Sequence, residues 1–214
     1  MVLVDRPERR NALNLEVVDG IKEALQASGP VLVLGSTDPR AFSSGADLDL
    51  KDSERAAVSD ALYRLYQQMR QSDTVIIAAA DGYALGGGAQ LLIASDIRIA
   101  GPDLSVRFLG LGHGLVVGAW GLPSLVGAGR AAELCLTMRS VGAEEAQRIG
   151  LVEAVVPDPL EEALKVASAM LLLDPTALAG VKRILSDPDP FAALNHEREI
   201  NSTWNGSVPR RGEV

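Results

Sequence analysis

Two runs of the chain, Val31-Leu32-Val33-Leu34 and Val75-Ile76-Ile77-Ala78-Ala79-Ala80, contain no polar side chain. A strand with one wet face alternates apolar and polar residues, so an unbroken apolar run of this length belongs to a strand buried on both faces. Burial on both faces calls for helices above and below, and such helices connect parallel strands. The spacing supplies them. Residues 15–27 set Val17, Val18, Ile21, Ala24 and Leu25 at helical intervals behind Asn14, an N-cap residue type, and Gly29-Pro30 ends the element. Residues 54–71 put Leu62, Leu65, Tyr66 and Met69 on one helical face. Strand, turn and helix therefore recur, which makes this an α/β chain with parallel strands.

Further strands are expected at 2–4, 96–100 and 151–156. Helices are expected at 89–94, in part of 122–136, and at 142–150, 160–173 and 175–185. Residues 35–47 read as a loop, and 104–118 is too rich in glycine to assign. The division drawn from this pattern is a core at 1–157 and a helical C-terminal region at 158–214 whose polar tail frays.

Twenty Lys and Arg stand against 28 Asp and Glu, a formal net charge of −8 with a pI near 4.8. With no basic run, nucleic acid and anionic membrane surfaces are excluded as general partners. The longest apolar stretch, 74–92, is broken by Asp81 and three glycines, so no membrane span is expected. Cys135 is the only cysteine, which suits a reducing compartment, and a cytoplasmic location is expected. His113, His196 and Cys135 form no recognisable ligand spacing, so no metal site is expected.

Chemistry concentrates in two loops that follow buried strands. The first is Ala41-Phe42-Ser43-Ser44-Gly45-Ala46-Asp47-Leu48. The second is Asp81-Gly82-Tyr83-Ala84-Leu85-Gly86-Gly87-Gly88-Ala89-Gln90. Glycines before a helix let a ligand reach backbone N–H groups that no intrahelical bond uses, where the helix dipole adds positive charge. A second N–H from the Gly45-Ala46 turn would complete a pair aimed at one oxygen, an oxyanion hole. The competing reading is that Gly86, Gly87 and Gly88 only permit close helix–strand packing.

Taken together, Arg6-Pro7-Glu8-Arg9-Arg10-Asn11-Ala12-Leu13-Asn14, Phe42 to Leu48, Asp81 to Gly88, Asp96-Ile97-Arg98-Ile99-Ala100, and Gly142-Ala143-Glu144-Glu145-Ala146 through Gly150-Leu151-Val152 resemble the crotonase (enoyl-CoA hydratase/isomerase) superfamily in order and spacing. The resemblance spans roughly residues 2–185. It implies a spiral of ββα repeats with a C-terminal helical trimerisation region, assembled as a homotrimer or hexamer. It implies an acyl-CoA thioester as substrate or ligand, with no permanently bound cofactor. The N–H groups of Ala46 and Gly87 would hold the thioester oxygen. Arg9, Arg10 and Ala12 would lie near the CoA nucleotide, with solvated loop charge as the alternative for the two arginines. Ser44, Asp47 and Leu48 would flank the pantetheine.

The family's hydratases position water with two glutamates, and here both positions differ. Gln90 stands at the first and Gly110 at the second, and no carboxylate lies between Asp103 and Glu133. Glutamine can bond a water but cannot take its proton at neutral pH. Gln90 is expected to face the pocket rather than bond locally. His113 is a candidate base, although a histidine bonded to backbone in its glycine-rich loop is the favoured reading. Tyr83 is expected to pack beneath the glycines. The stretch 118–127, which holds Trp120, is shorter than the family pattern. Three functions stay open: an acyl-CoA binder without hydratase activity, an enzyme using the oxyanion hole for isomerisation, decarboxylation or thioester hydrolysis, and a non-catalytic subunit pairing with a homologue.

Overall fold

A computed structural model describes residues 1–186. In chain order its elements are β1 (Val2–Val4), α1 (Leu15–Ala27), β2 (Val31–Ser36), β3 (Ala41–Ser43), α2 (Asp52–Gln71), β4 (Val75–Ala80), β5 (Tyr83–Leu85), α3 (Gly87–Ala94), β6 (Ile97–Ala100), β7 (Ser105–Arg107), α4 (Leu122–Val126), α5 (Ala128–Thr137), β8 (Val141–Gly142), α6 (Ala143–Arg148), β9 (Ala154–Val155), α7 (Pro159–Met170) and α8 (Pro175–Leu185). Asn14 caps α1 as expected, its side chain accepting from the Val17 N–H at 3.0 Å.

Five strands form one sheet in the order β1-β2-β4-β6-β9, every pairing parallel. A smaller sheet runs β3-β5-β7-β8, antiparallel only between its last two strands. The first strand of each ββα unit joins the larger sheet and the second joins the smaller. Successive units, β2-β3-α2 and then β4-β5-α3, thus advance one strand in both sheets at once, which winds the chain into a spiral.

Along β4 the two faces separate cleanly. Ile76, Ala78 and Ala80 point into the main core, while Ile77 and Ala79 join Val33 and Ile99 against Ala163 and Ala167 of α7. Period-two alternation sends the side chains both ways, and both sides are apolar because both sides are covered. Fully burying a side chain such as Ile77 contributes about 1.5–3 kcal/mol.

Several boundaries differ from the expected ones. The 35–47 loop contains β3, and the unassigned 104–118 stretch contains β7. Three residues are too few to display a period, so these strands leave no pattern in the sequence. α3 starts at Gly87 rather than at 89, and 122–136 is two helices parted at Gly127. Only residues 154 and 155 of the expected last strand pair with β6.

Lys182 on α8 is buried, its Nζ donating to the carbonyls of Met69 (2.8 Å) and Thr74 (2.6 Å) and pairing with Asp96 at 2.8 Å. Burial, opposed by Asp96, lowers its pKa. The Asp96 carboxylate also accepts from the Ile76 N–H, so one ion pair ties α8 to β4. Among the described residues, no single helix is long and apolar enough to cross a membrane. The expected frayed tail lies outside the described residues.

Candidate functional site

The glycine run after β5 does two separate jobs. A Cβ on Gly88 would stand 2.5 Å from the Ser43 carbonyl oxygen, so Gly88 serves the close approach of α3 to β3. Gly87 is the first residue of α3, where an N–H has no intrahelical acceptor, and it finds none among the described residues. The packing reading therefore applies at Gly88, and Gly87 leaves a backbone donor unpaired among the described residues.

Facing Gly87 is the turn after β3. Leu13 bridges to it, donating to the Gly45 carbonyl at 2.8 Å and accepting from the Asp47 N–H at 2.9 Å. Ala46, between them, is left with a backbone N–H that meets no acceptor among the described residues. Gly45 has φ +92, and a Cβ there would lie 2.7 Å from the Leu85 carbonyl oxygen and 3.3 Å from the Gly87 nitrogen. The two loops meet closely only because this residue has no side chain.

Ala46 and Gly87 both line a cavity of about 750 Å³. Its walls are largely apolar, with Leu48, Leu62, Leu109, Leu115 and Val117 contributing. α2 adds a polar rim: Arg55, Ser59, Asp60 and Tyr63. Sequence reading missed this rim. Positions 55, 59 and 63 share a helical face, but nothing in the chain shows which face of α2 looks into a cavity. Arg55 donates to the Leu48 carbonyl at 2.9 Å, which steadies the loop, and Asp60 pairs with Arg64 at 2.8 Å.

Gln90 faces the cavity while 3% exposed. Its Oε1 accepts from the Gly118 N–H at 3.2 Å and from the Trp120 indole Nε1 at 2.9 Å. Gln90 thus lines the cavity as expected, and its bonds reach 28 and 30 residues along the chain rather than to its own helix. Trp120 stacks on Tyr66 (centroids 6.2 Å, 18° between planes), and the Tyr66 hydroxyl donates to the Gly87 carbonyl at 3.0 Å. Tyr66 is deeply buried, and desolvation, helped by Tyr63, drives its pKa well above the ordinary tyrosine value. A chain of contacts therefore runs from the Gly87 peptide through Tyr66 and Trp120 to Gln90.

The structure brings Ser44, Ala46, Leu48, Gly87, Gln90 and His113 onto one cavity. Other expected site residues lie around it. Asp47 is buried and pairs with Arg6 at 3.1 Å, holding the loop to the N-terminal segment. Ala12 is buried, and its carbonyl accepts from Arg6. Arg9 and Arg10 occupy an exposed turn, Arg9 paired with Asp49, and the turn meets Ser44 through the Arg10 carbonyl.

Two expectations are corrected, and the absence of a carboxylate at position 110 has a steric reason. Tyr83 does not pack beneath the glycines; its side chain is on the outer side of β5, and the residue is 45% exposed. The His113 ring makes no hydrogen bond to a described residue and stands exposed at the cavity rim, because its 3-10 turn projects it outward. Gly110 is buried, and a Cβ there would lie 2.6 Å from the Leu115 carbonyl oxygen and 2.8 Å from Val117 Cγ2. A glutamate at that position has no room on this backbone.

Residues 1–213 match the family described as Enoyl-CoA hydratase/isomerase. The chain is 34% identical over 210 residues to the probable enoyl-CoA hydratase echA6 of Mycobacterium bovis, covering 94% of this chain and 85% of that one. It is 31% identical over 214 residues to the 2,3-dehydroadipyl-CoA hydratase of Escherichia coli, covering 94% and 84%. Among solved structures, an enoyl-CoA hydratase from Bacillus anthracis superposes with a TM-score of 0.86 at 29% identity, covering 92% and 83%. Pseudomonas aeruginosa DspI superposes with a TM-score of 0.83 at 30% identity, covering 90% and 80%.

Proposed function

The chain belongs to the enoyl-CoA hydratase/isomerase family, and on that premise we propose that it binds acyl-CoA thioesters without hydrating them. The observation that carries this reading is the pair of backbone N–H groups, Ala46 and Gly87, on one largely apolar cavity and without an acceptor among the described residues. A thioester oxygen set between them accepts two hydrogen bonds, and the acyl chain lies along Leu62, Leu115 and Val117. Two fixed donors in a dry site also favour the negative oxygen of an enolate. Arg9 and Arg10, on the turn joined to Ser44, suit the CoA phosphates. Hydration lacks the family's pair of carboxylates here: Gln90 is neutral, and Gly110 has neither a side chain nor space for one.

A second reading rests on His113 and Asp60, which line the same cavity. Either could serve as a proton acceptor for isomerisation or thioester hydrolysis at the same oxyanion pair. The proposed working form is a cytoplasmic homotrimer or hexamer, supported by the exposed apolar residues Leu171, Leu172, Val181 and Leu185 near α8.

Calorimetric titration with butyryl-CoA and a long-chain acyl-CoA, followed by a crotonyl-CoA hydration assay on the same sample, tests this. Binding without turnover is expected. Hydration at rates typical of an enzyme would sink the binder reading and direct attention to His113 and Asp60. Light scattering of the same sample reports the assembly.

A further inference from the structure

Gln90 has a defined polarity. Two N–H donors, from Gly118 and Trp120, converge on one end of its carboxamide. Turning the amide over would set its NH2 against both donors, so the oxygen is held at that end by chemistry. Nε2 is the other end. It has no partner among the described residues, and the residue lines the cavity while 3% exposed. A glutamate here would show the cavity an acceptor; Gln90 shows it a donor.

The donor sits one helical turn from the oxyanion pair. Gly87 and Gln90 are i and i+3 on α3, neighbours on one face with about 5–6 Å between such positions. A ligand whose thioester oxygen lies between Ala46 and Gly87 therefore carries its next carbons past Nε2. Nε2 keeps accessible surface, so a ligand oxygen meeting this donor takes the place of solvent, and Leu62 and Val117, which line the same cavity, carry no acceptor in their side chains.

We propose that Gln90 makes this site selective for acyl-CoA thioesters that carry a second oxygen at C3, 3-oxoacyl-CoA in particular. The inference rests on the acyl-CoA reading above and names the substrate class within it. The thioester oxygen takes the Ala46 and Gly87 N–H groups, and the C3 oxygen takes Gln90 Nε2. A 1,3-dicarbonyl can also bind as its enolate: a proton leaves C2 for solvent, and the resulting charge is shared by the two oxygens, each facing donors. Trp120 is a positioning residue, since its indole N–H keeps the carboxamide from rotating.

The test is titration of the full chain with butyryl-CoA and acetoacetyl-CoA at pH 8, together with the ultraviolet band of the acetoacetyl enolate followed against pH. One added hydrogen bond in a buried site corresponds to about a tenfold preference for acetoacetyl-CoA. The enolate band of the bound ligand is expected to appear at lower pH than that of free acetoacetyl-CoA. Gln90→Glu turns the donor into an acceptor, so the ratio of the two affinities should fall to one or below. Trp120→Phe should reduce the ratio less and shift the enolate band back towards the free ligand. Tight butyryl-CoA binding with no preference, and an unshifted enolate band, would overturn this inference and leave the acyl-CoA reading standing. If neither thioester binds, both readings fail. The enolate titration needs no variant, so misfolding of Gln90→Glu does not remove the test.

Discussion

The cavity has two unlike walls. One, residues 44–46 with 86–90, is mainly backbone, and the donors it presents are N–H groups fixed by a turn and a helix start. The other, Leu109, His113, Leu115 and Val117 with one face of α2, is mainly side chains, and residues 111–116 are exposed. The backbone wall is rigid because glycines let three segments touch. Of the two positions where a hydratase of the family carries its carboxylates, Gln90 stands on the backbone wall and Gly110 beside the other, where the chain offers His113 and Asp60. The backbone N–H pair depends on glycines, whereas proton transfer depends on side chains from both walls, so the second can be altered while the first persists.

The sharpest way to break the backbone wall is Gly88→Val. Its side chain would drive α3 off Ser43, and overpacking of this kind costs about 3 kcal/mol or, against backbone, more. Denaturant unfolding should show that loss, and acyl-CoA binding should disappear with it. A stable variant that still binds would mean that the contact with β3 does not set the site.

The converse change adds carboxylates on both sides of the cavity. Gln90→Glu combined with Gly110→Glu returns both carboxylates, yet the new side chain at 110 collides with Leu115 and Val117. A loss of about 1–3 kcal/mol and no useful crotonyl-CoA hydration are expected. Appearance of hydratase activity would show that the loop yields and that missing carboxylates alone explain the missing base.

Tyr66→Phe probes the link between the walls. It removes one hydrogen bond to the Gly87 carbonyl, about 1 kcal/mol of stability, with acyl-CoA affinity falling a few-fold. It also has a pH signature. The folded-state pKa of Tyr66 is raised, so its contribution is fully present below the unfolded tyrosine value, near 10, and is lost as pH rises beyond it. Thermal unfolding between pH 9 and 11 should fall less steeply for Tyr66→Phe than for the parent. Equal slopes would assign the alkaline loss to other groups.

The smallest effect belongs to His113→Ala. An exposed ring without a bonded partner should cost no more than about 0.5 kcal/mol in stability, with under a twofold change in butyryl-CoA affinity. If turnover of any thioester is found, this variant together with Asp60→Asn decides which group moves the proton.

Legibility in the sequence follows the same division. That Ala46 and Gly87 share one cavity was legible because glycines between a strand and a helix mark exposed backbone donors. The α2 rim could not, since Arg55, Ser59 and Asp60 look like an ordinary solvated helix face. Lys182 was equally silent: a lone lysine on an amphipathic helix gives no sign that its Nζ will find two carbonyls and Asp96 in the interior.

By itself the sequence determined the layering. Unbroken apolar runs at 31–34 and 75–80 demand cover on both faces, and helical spacing between them provides it, so a parallel α/β arrangement was the available outcome. The polarity of Gln90, the lack of room at Gly110, and the meeting of Tyr66, Trp120 and Gly87 were decided only in the tertiary structure. They depend on which atoms from distant segments arrive within about 3 Å of one another, as hydrogen bonds and steric contacts require. Periodicity orders residues along one element; it carries no distance between two.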